Sequence, residues 1–269
     1  KVTQPTPWCA GMVVVPKPRA KIPIRLCVDL KPLNKWVRRE RHILPAVDDT
    51  LAMLAGVKVF TKLDATSGFW QIPLSEESKL LTTLITPFGR YAFNRLPFGI
   101  SSAPEHFQRR MSQMLEGCTG VVCHADDILV YGEDIQQHEE RLYQVLEKLK
   151  KEGLTLNSEK CEVANSIMFL GHQVTADGVA ADPGKVRAIM EMPEPSDVEG
   201  VKRLMGRANY IGKFLPDLAS YTGLIRDLLS GKNEWSWEEP QREAFQRLKA
   251  ELISPRLLAS YSPMALEAC

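Results

Sequence analysis

Three aspartates are the residues of this sequence best suited to carry chemistry. Asp126 and Asp127 are adjacent and lie between two apolar runs, residues 121–123 and 128–130, and Asp64 ends another apolar segment. Carboxylates beside a core are costly, because burial disfavours their charged form and like charges repel. A hard divalent cation offsets both effects, since it prefers carboxylate and phosphate oxygens. The alternative for an Asp-Asp pair is an ordinary surface turn, which the apolar flanks disfavour.

Aspartates in such a cluster predict a two-metal site for phosphoryl transfer. They would hold two Mg²⁺ ions about 3.5–4 Å apart, with Mn²⁺ as a possible substitute. Such a site activates an attacking 3′-hydroxyl and steadies the triphosphate and its leaving pyrophosphate. Catalysis is then mainly positioning and charge neutralisation.

The elements that must position these acids can be read from the hydrophobic pattern. Residues 121–130 predict a β-hairpin with the acids at its tip, and residues 57–63 predict a strand that ends at Asp64. Further strands are predicted at 11–15, 24–30, 91–96 and 167–174. Helices are predicted after a capping box of Ser102 and Glu105, after Asp134, after a box of Ser196 and Glu199, and through residues 244–252. Strands and helices that interleave irregularly favour an α+β fold.

Composition and charge set wider limits. The 269 residues are 44% hydrophobic and carry a formal net charge of only +1. Nine basic but only two acidic residues lie between Lys17 and Arg41, so charge is strongly segregated. That stretch is either a solvated basic face or a phosphate-binding one. No apolar run approaches the roughly 18 residues of a membrane span. The six scattered cysteines indicate reduced thiols and an intracellular protein.

Five motifs follow one another at residues 25–34, 60–72, 96–104, 125–130 and 169–172. In this order they resemble the reverse transcriptases of gypsy-type LTR retrotransposons. Residues 60–72 resemble their first polymerase motif, 96–104 their second and 125–130 their catalytic double-aspartate motif. Residues 25–34 resemble the fingers hairpin, and 169–172 resemble the primer-grip hairpin. The segments 207–210, 235–237 and 244–245 extend the likeness over nearly the whole chain. The sequence is therefore expected to be a piece of a longer retrovirus-like polyprotein.

The resemblance implies a role for each matched residue. Asp64, Asp126 and Asp127 would be the catalytic, metal-binding residues. Arg25 would contact the incoming triphosphate, with Lys21 or Lys17 as an open second choice, and Lys160 would be a weaker candidate for protonating pyrophosphate. The other substrate-binding residues would be Ala65, Gly68, Phe69, Phe98 and Gly99, with Phe69 excluding a 2′-hydroxyl. The primer grip would comprise Phe169, Leu170 and Gly171.

The resemblance also implies an architecture and partners. The fold would be a right-hand polymerase, with fingers and palm at 1–173, a helical thumb at 174–230 and the start of a connection or RNase H-like region at 231–269. Partners would be dNTPs and an RNA or DNA template with its primer, without a membrane. RNase H and integrase regions of the same polyprotein are expected beyond this chain. The location would be cytoplasmic or nuclear, in virus-like particles in some settings.

One position departs from the family. His124 stands two residues before Asp126, where the family usually has tyrosine. Histidine is smaller and can gain charge, which leaves a second hypothesis open: a decayed remnant that binds nucleic acid without catalysis. The three intact aspartates favour the active RNA- and DNA-directed DNA polymerase.

Overall fold

The computed structural model describes residues 1–6, 8–16, 24–39, 42, 45–54, 56–215, 217–230 and 235–253, apart from the side chain of Arg25. The strands are β1 (Met12–Pro16), β2 (Ile24–Val28), β3 (Val59–Asp64), β4 (Leu84–Thr86), β5 (Gly89–Tyr91), β6 (Val121–His124), β7 (Asp127–Gly132), β8 (Glu162–Ala164), β9 (Ser166–Phe169), β10 (His172–Thr175) and β11 (Gly178–Ala181). The helices are α1 (Lys31–Asn34), α2 (Val47–Ala52), α3 (Glu76–Leu81), α4 (Ala103–Met114), α5 (Ile135–Lys151), α6 (Pro183–Met190), α7 (Val198–Ile211), α8 (Leu218–Asp227) and α9 (Glu239–Ile253).

The chain divides into two compact units. The first comprises Lys1–Pro45 and Thr61–Val163, and the second comprises Ala46–Phe60 and Ala164–Cys269. In the first unit, β1 pairs with β2 and β4 with β5 as antiparallel hairpins. A four-stranded sheet has the order β6-β7-β3-β8, so that β3 lies beside the hairpin of β6 and β7.

The core of the first unit lies between this sheet and two helices. Apolar side chains from α4 and α5 pack against alternate residues of β3 and β7. The buried members are Leu63, Ala65, Phe107, Met111, Leu115, Ile128, Val130, Val145 and Leu149. Alternation along a strand sends neighbouring side chains to opposite faces. The polar residues between these positions, Lys62, Asp64 and Asp127, therefore lie on the other face of the sheet.

In its described residues, the second unit holds a three-stranded antiparallel sheet and five helices, α2 and α6 to α9. β9, β10 and β11 form a meander in the order β11-β10-β9. The helices α6 to α9 share a core with fully buried residues such as Leu204, Ile225 and Phe245. No helix in the described ranges is long and apolar enough to cross a membrane.

The α+β expectation is confirmed, and most predicted elements exist. Residues 91–96 are an exception: β5 ends at Tyr91, and residues 92–96 form only an isolated bridge at Arg95. The segment 167–174 is two short strands around a tight turn rather than one strand. The division into fingers, palm, thumb and connection stays a prediction.

Both predicted capping boxes are wrong in detail. Ser102 precedes α4 with helical backbone angles and no capping hydrogen bond, and the carboxylate of Glu105 bonds Arg39 instead. At α7 the cap is Asp197, whose carboxylate accepts from the amide of Gly200 at 2.6 Å, rather than Ser196. The predicted cap of α5 is confirmed, since Asp134 accepts from the amide of Gln137.

Candidate active site

Asp64 occupies the last position of β3. Its side chain is 18% exposed and lies 3.3 Å from the ammonium of Lys160. The preceding strand residues alternate as expected, since Thr61 bonds the buried ring of His138 on α5 while Leu63 joins the core. Packing of the helix-facing residues therefore presents Asp64 on the opposite face of the sheet.

The β6–β7 hairpin presents the other two aspartates. His124 pairs with Asp127, so that Ala125 and Asp126 form a two-residue turn in which Ala125 has a φ of 53°. The buried amide of Gln108, on α4, holds this turn. Its oxygen accepts from the Ala125 amide at 2.8 Å, and its nitrogen donates to the carbonyl of Cys123 at 2.9 Å.

Asp126 is the least satisfied acid of the site. Its backbone carbonyl accepts from the amide of Ala65 at 3.4 Å, which ties the turn to the end of β3. Its Oδ1 atom is buried and has no hydrogen-bond partner. A side chain on Gly68 would bring a Cβ within 2.9 Å of that oxygen and 2.7 Å of the Phe107 ring. Glycine is therefore required where the chain passes closest to Asp126.

Electrostatics mark the same carboxyl. Burial raises the pKa of Asp126 above its ordinary value, and repulsion from Asp64 and Asp127 raises it further, while Lys160 opposes the shift. Burial likewise raises the pKa of the neighbouring Cys123 thiol to about 12. Perturbed groups of this kind concentrate at functional sites. A buried, unpartnered oxygen beside two further acids fits a cation better than it fits a purely structural role.

Two lysines partner the flanking acids. Lys62 lies 3.0 Å from Asp127, and Lys160 lies 3.3 Å from Asp64. Within the described residues, no three or more His, Cys, Asp or Glu side chains are arranged as a finished metal site. The acids are thus gathered around Asp126, with cationic side chains on two of them.

The residues that follow Asp64 form an aromatic cluster. Gly68 starts a 3-10 turn, Gly68–Gln71, in which the ring of Phe69 lies 5.1 Å from Phe98 and 5.6 Å from Phe107 between centroids. Gly99 follows Phe98 with a φ of 99°, and its carbonyl accepts from Asn34 at 2.7 Å. The structure therefore brings Gly68, Phe69, Phe98 and Asp126 together.

Other predicted site residues belong to other elements or fall outside the described residues. Arg25 is in β2, paired with Val15, and Lys17 and Lys21 lie outside the described residues. Phe169, Leu170 and Gly171 belong to the second unit and form the end of β9 and its turn. Their predicted roles stay predictions.

Three polar residues that position the site escaped the sequence analysis. They are Lys62, Gln108 and Gln71, whose amide nitrogen donates to the carbonyls of Thr66 and Thr155 at 2.7 and 2.9 Å. The last contact ties the loop after Asp64 to the segment that leads to Lys160. The sequence did contain two signals: Lys62 lies two residues before Asp64, and Gln108 lies on an apolar helix face. Neither signal identifies the partner of the residue.

Comparison with known proteins decides the family. Residues 15–174 match the family described as reverse transcriptase (RNA-dependent DNA polymerase). The chain belongs to the reverse transcriptase family. The resemblance drawn from the five motifs is thereby confirmed.

The relatives of this reverse transcriptase domain are retrotransposon polyproteins. It is 40% identical over 258 residues to the retrovirus-related Pol polyprotein from transposon opus of Drosophila melanogaster, a match that covers 91% of the chain and 26% of that polyprotein. It is 33% identical over 278 residues to the Pol polyprotein from transposon 412 of the same organism, with 100% and 22% covered. The chain thus spans about a quarter of the length of these relatives.

Solved structures show the same fold. The foamy viral protease-reverse transcriptase in complex with an RNA/DNA hybrid matches with a TM-score of 0.80 and 21% identity, over 93% of the chain and 34% of the viral protein. A form in complex with ds DNA matches with a TM-score of 0.84 and 21% identity, over 93% and 44%. The α+β fold is that of reverse transcriptase polymerases.

Proposed function

We propose that this domain is the catalytic polymerase of its polyprotein and adds dNTPs to a primer 3′-hydroxyl, on RNA and on DNA templates. The observation that carries the proposal is the buried, unpartnered Oδ1 of Asp126 beside two further acids that raise its pKa. A structural aspartate would be hydrogen-bonded or paired. This one is arranged to meet a cation that arrives with substrate.

Asp64, Asp126 and Asp127 would hold two Mg²⁺ ions, for which Mn²⁺ can substitute. When bound, such ions activate the 3′-hydroxyl and neutralise the triphosphate. The chain contributes the placement of the acids: β3 fixes Asp64, and Gln108 fixes the turn before Asp126. Lys62 and Lys160 balance the charge of the outer acids.

The incoming nucleotide would lie against the loop that follows Asp64. The backbone between Ala65 and Gly68 would approach the triphosphate, because Gly68 brings this loop close to the carboxyl of Asp126. The guanidinium of Arg25 would contact the same phosphates, since its planar donors match phosphate oxygens. Phe69 would face the sugar, with Phe98 and Gly99 completing the pocket, and Lys160 would be placed to give a proton to pyrophosphate.

Template and primer would bind through basic surfaces and the β9–β10 turn. The foamy viral enzymes were solved with an RNA/DNA hybrid and with ds DNA, which supports the same partners here. Between α6 and α7, a groove of about 380 Å³ is lined by Lys185, Lys202, Arg203 and Arg207. We assign residues 174–230 to the thumb, residues 231–269 to the start of a connection or RNase H-like region, and Phe169, Leu170 and Gly171 to the primer grip.

The second candidate is a remnant that binds nucleic acid without catalysis. It is favoured by His124, which replaces the usual tyrosine and pairs with Asp127 across the hairpin. The remnant keeps the fold and the basic surfaces, so binding alone does not separate the two candidates.

Primer extension separates them. Extension of a labelled DNA primer is measured on RNA and on DNA templates, with Mg²⁺, with Mn²⁺ and with a chelator. We expect extension on both templates that stops with the chelator and falls to background in Asp126→Asn. A folded protein that binds the duplex but never extends it supports the remnant. His124→Tyr then tests whether this one position caused the loss.

A further inference from the structure

The β9–β10 turn has an unfavourable backbone. Phe169 pairs with His172, so that the turn consists of Leu170 and Gly171, with φ values of 50° and 76°. Two-residue turns with two positive φ values favour Asn, Asp and Gly. A leucine there is sterically strained and persists only where its surroundings hold it.

Two donors hold the two carbonyls of this turn. The His172 ring bonds through Nδ1 to the carbonyl of Leu170 at 2.9 Å. The hydroxyl of Tyr210, on α7, donates to the carbonyl of Gly171. The turn is therefore fastened both to its own strand and to a helix that lies nearly forty residues further along the chain.

The donors are themselves fixed by packing. The rings of His172 and Tyr210 are stacked, with centroids 5.9 Å apart and planes at 27°, and the Lys185 ammonium lies 3.4 Å above the Tyr210 ring. His172 is 3% exposed, and burial together with Lys213 lowers its pKa, which favours the neutral ring. A Cβ on Gly171 would lie 2.6 Å from the Tyr210 oxygen, so this close approach requires glycine.

We propose that Tyr210 and His172 are positioning residues that lock the Leu170-Gly171 turn and thereby set the place of the primer 3′ end. The proposal rests on the proposed function, in which this turn grips the primer. In this proposal the backbone of the turn contacts the primer, and the rings of His172 and Tyr210 fix the geometry of that backbone. A reacting hydroxyl displaced by about 1 Å can lose about a hundredfold in rate, so a looser turn should slow chemistry more than binding.

Tyr210→Phe removes only the hydroxyl that reaches Gly171, and Tyr143→Phe is the matched control, because Tyr143 is 68% exposed on α5. Amide hydrogen exchange in residues 169–173 is measured beside kcat, the KM for dNTP and the Kd of a DNA primer–template duplex. We expect faster exchange in Tyr210→Phe and a kcat about tenfold lower, with KM and Kd changed by less than about threefold. Tm should fall by only about 2–4 °C.

The conservative variants at His172 test the second donor. Asn keeps a donor for the Leu170 carbonyl without the ring, whereas Phe keeps the ring without the donor. We expect His172→Asn to retain more of the wild-type kcat than His172→Phe does. The two variants should have equal Tm. Unchanged exchange in Tyr210→Phe overturns the lock, and faster exchange with unchanged kcat overturns the positioning role. A wild-type chain that never extends a primer contradicts the proposed function instead, and the exchange result then decides the lock alone.

Discussion

Lys62 Nζ lies 3.0 Å from Asp127 Oδ1, on the face of the sheet that also bears Asp64. The side chains are 24% and 32% exposed, so that water screens the pair only in part. The ammonium therefore occupies part of the space in which Asp127 would meet a metal ion.

Lys62→Met should weaken the free protein and strengthen its response to Mg²⁺. We expect a loss of about 1 kcal/mol in the free energy of unfolding, because Asp127 loses its ion pair. The rise in Tm on adding Mg²⁺ should be larger than in wild type, since a competing cation is gone. Thermal melts with and without Mg²⁺ measure both. Lys79→Met, which breaks a surface pair with Glu76, should leave the response to the metal unchanged.

Asp126→Asn should stabilise the protein while abolishing extension. The wild-type carboxyl is buried, unpartnered and repelled by Asp64 and Asp127. A neutral amide removes that repulsion, and we expect a gain of about 1 kcal/mol without metal. Thermal melts in the presence of a chelator measure this gain in stability. The control is Asp177→Asn, because Asp177 is an exposed acid outside the site. A destabilised Asp126→Asn would indicate that the carboxylate has a structural partner.

Phe69 tests sugar selection against packing. Its ring contacts Phe98 and the buried Phe107, so truncation has a cost in either case. We expect Phe69→Val to lose about 1–3 kcal/mol of stability yet stay folded and accept rNTPs, because the wall against the 2′-hydroxyl is gone. Phe107→Val is the core control and should lose dNTP and rNTP use together. Measuring dNTP and rNTP incorporation together with a thermal melt distinguishes the two roles of Phe69. Unchanged selectivity in a folded Phe69→Val would refute the role in sugar selection.

Stability should fall in mild acid because of two buried histidines. Burial lowers the pKa of His138 and of His172 below the ordinary 6.5. The unfolded chain therefore takes up protons first, and the stabilisation present above pH 6.5 is lost as pH falls toward the folded pKa. The slope should approach about 1.4 kcal/mol per pH unit for each group. Melts at several pH values check this, and His138→Gln should flatten the dependence below pH 6.5.

The basic stretch should act mainly through Lys35 and Arg38. Both are exposed, as is Arg39, but Arg39 bonds Glu105 and holds the pKa of that carboxyl below its usual range. Replacing Lys35 and Arg38 by Gln should reduce the slope of log Kd against log salt by about 0.7–0.9 for each phosphate that these side chains neutralise. Arg39→Gln should reduce it less. An unchanged slope in the double variant would make this charge a solvated face.

Much of the site was determined by sequence because its signals are local. Apolar runs on both sides of Asp126 and Asp127 require a hairpin with the acids at its tip, and that hairpin is present as β6 and β7. Asp134 caps α5 because an N-cap needs only the residues that follow it. The expectation of an α+β fold came from the same local periodicities.

Tertiary structure decided the partners of these residues. Lys62 with Asp127, Gln108 with Ala125, and Tyr210 with Gly171 are pairs separated by 17 to 65 residues. The glutamate of the predicted box at Ser102 also has a distant partner, since Glu105 bonds Arg39, 66 residues away. Several side chains could cap a helix end or pair with a given charge equally well. Which of these contacts forms depends on which elements pack together. Sequence thus determined which groups could do chemistry, and packing determined which of them meet.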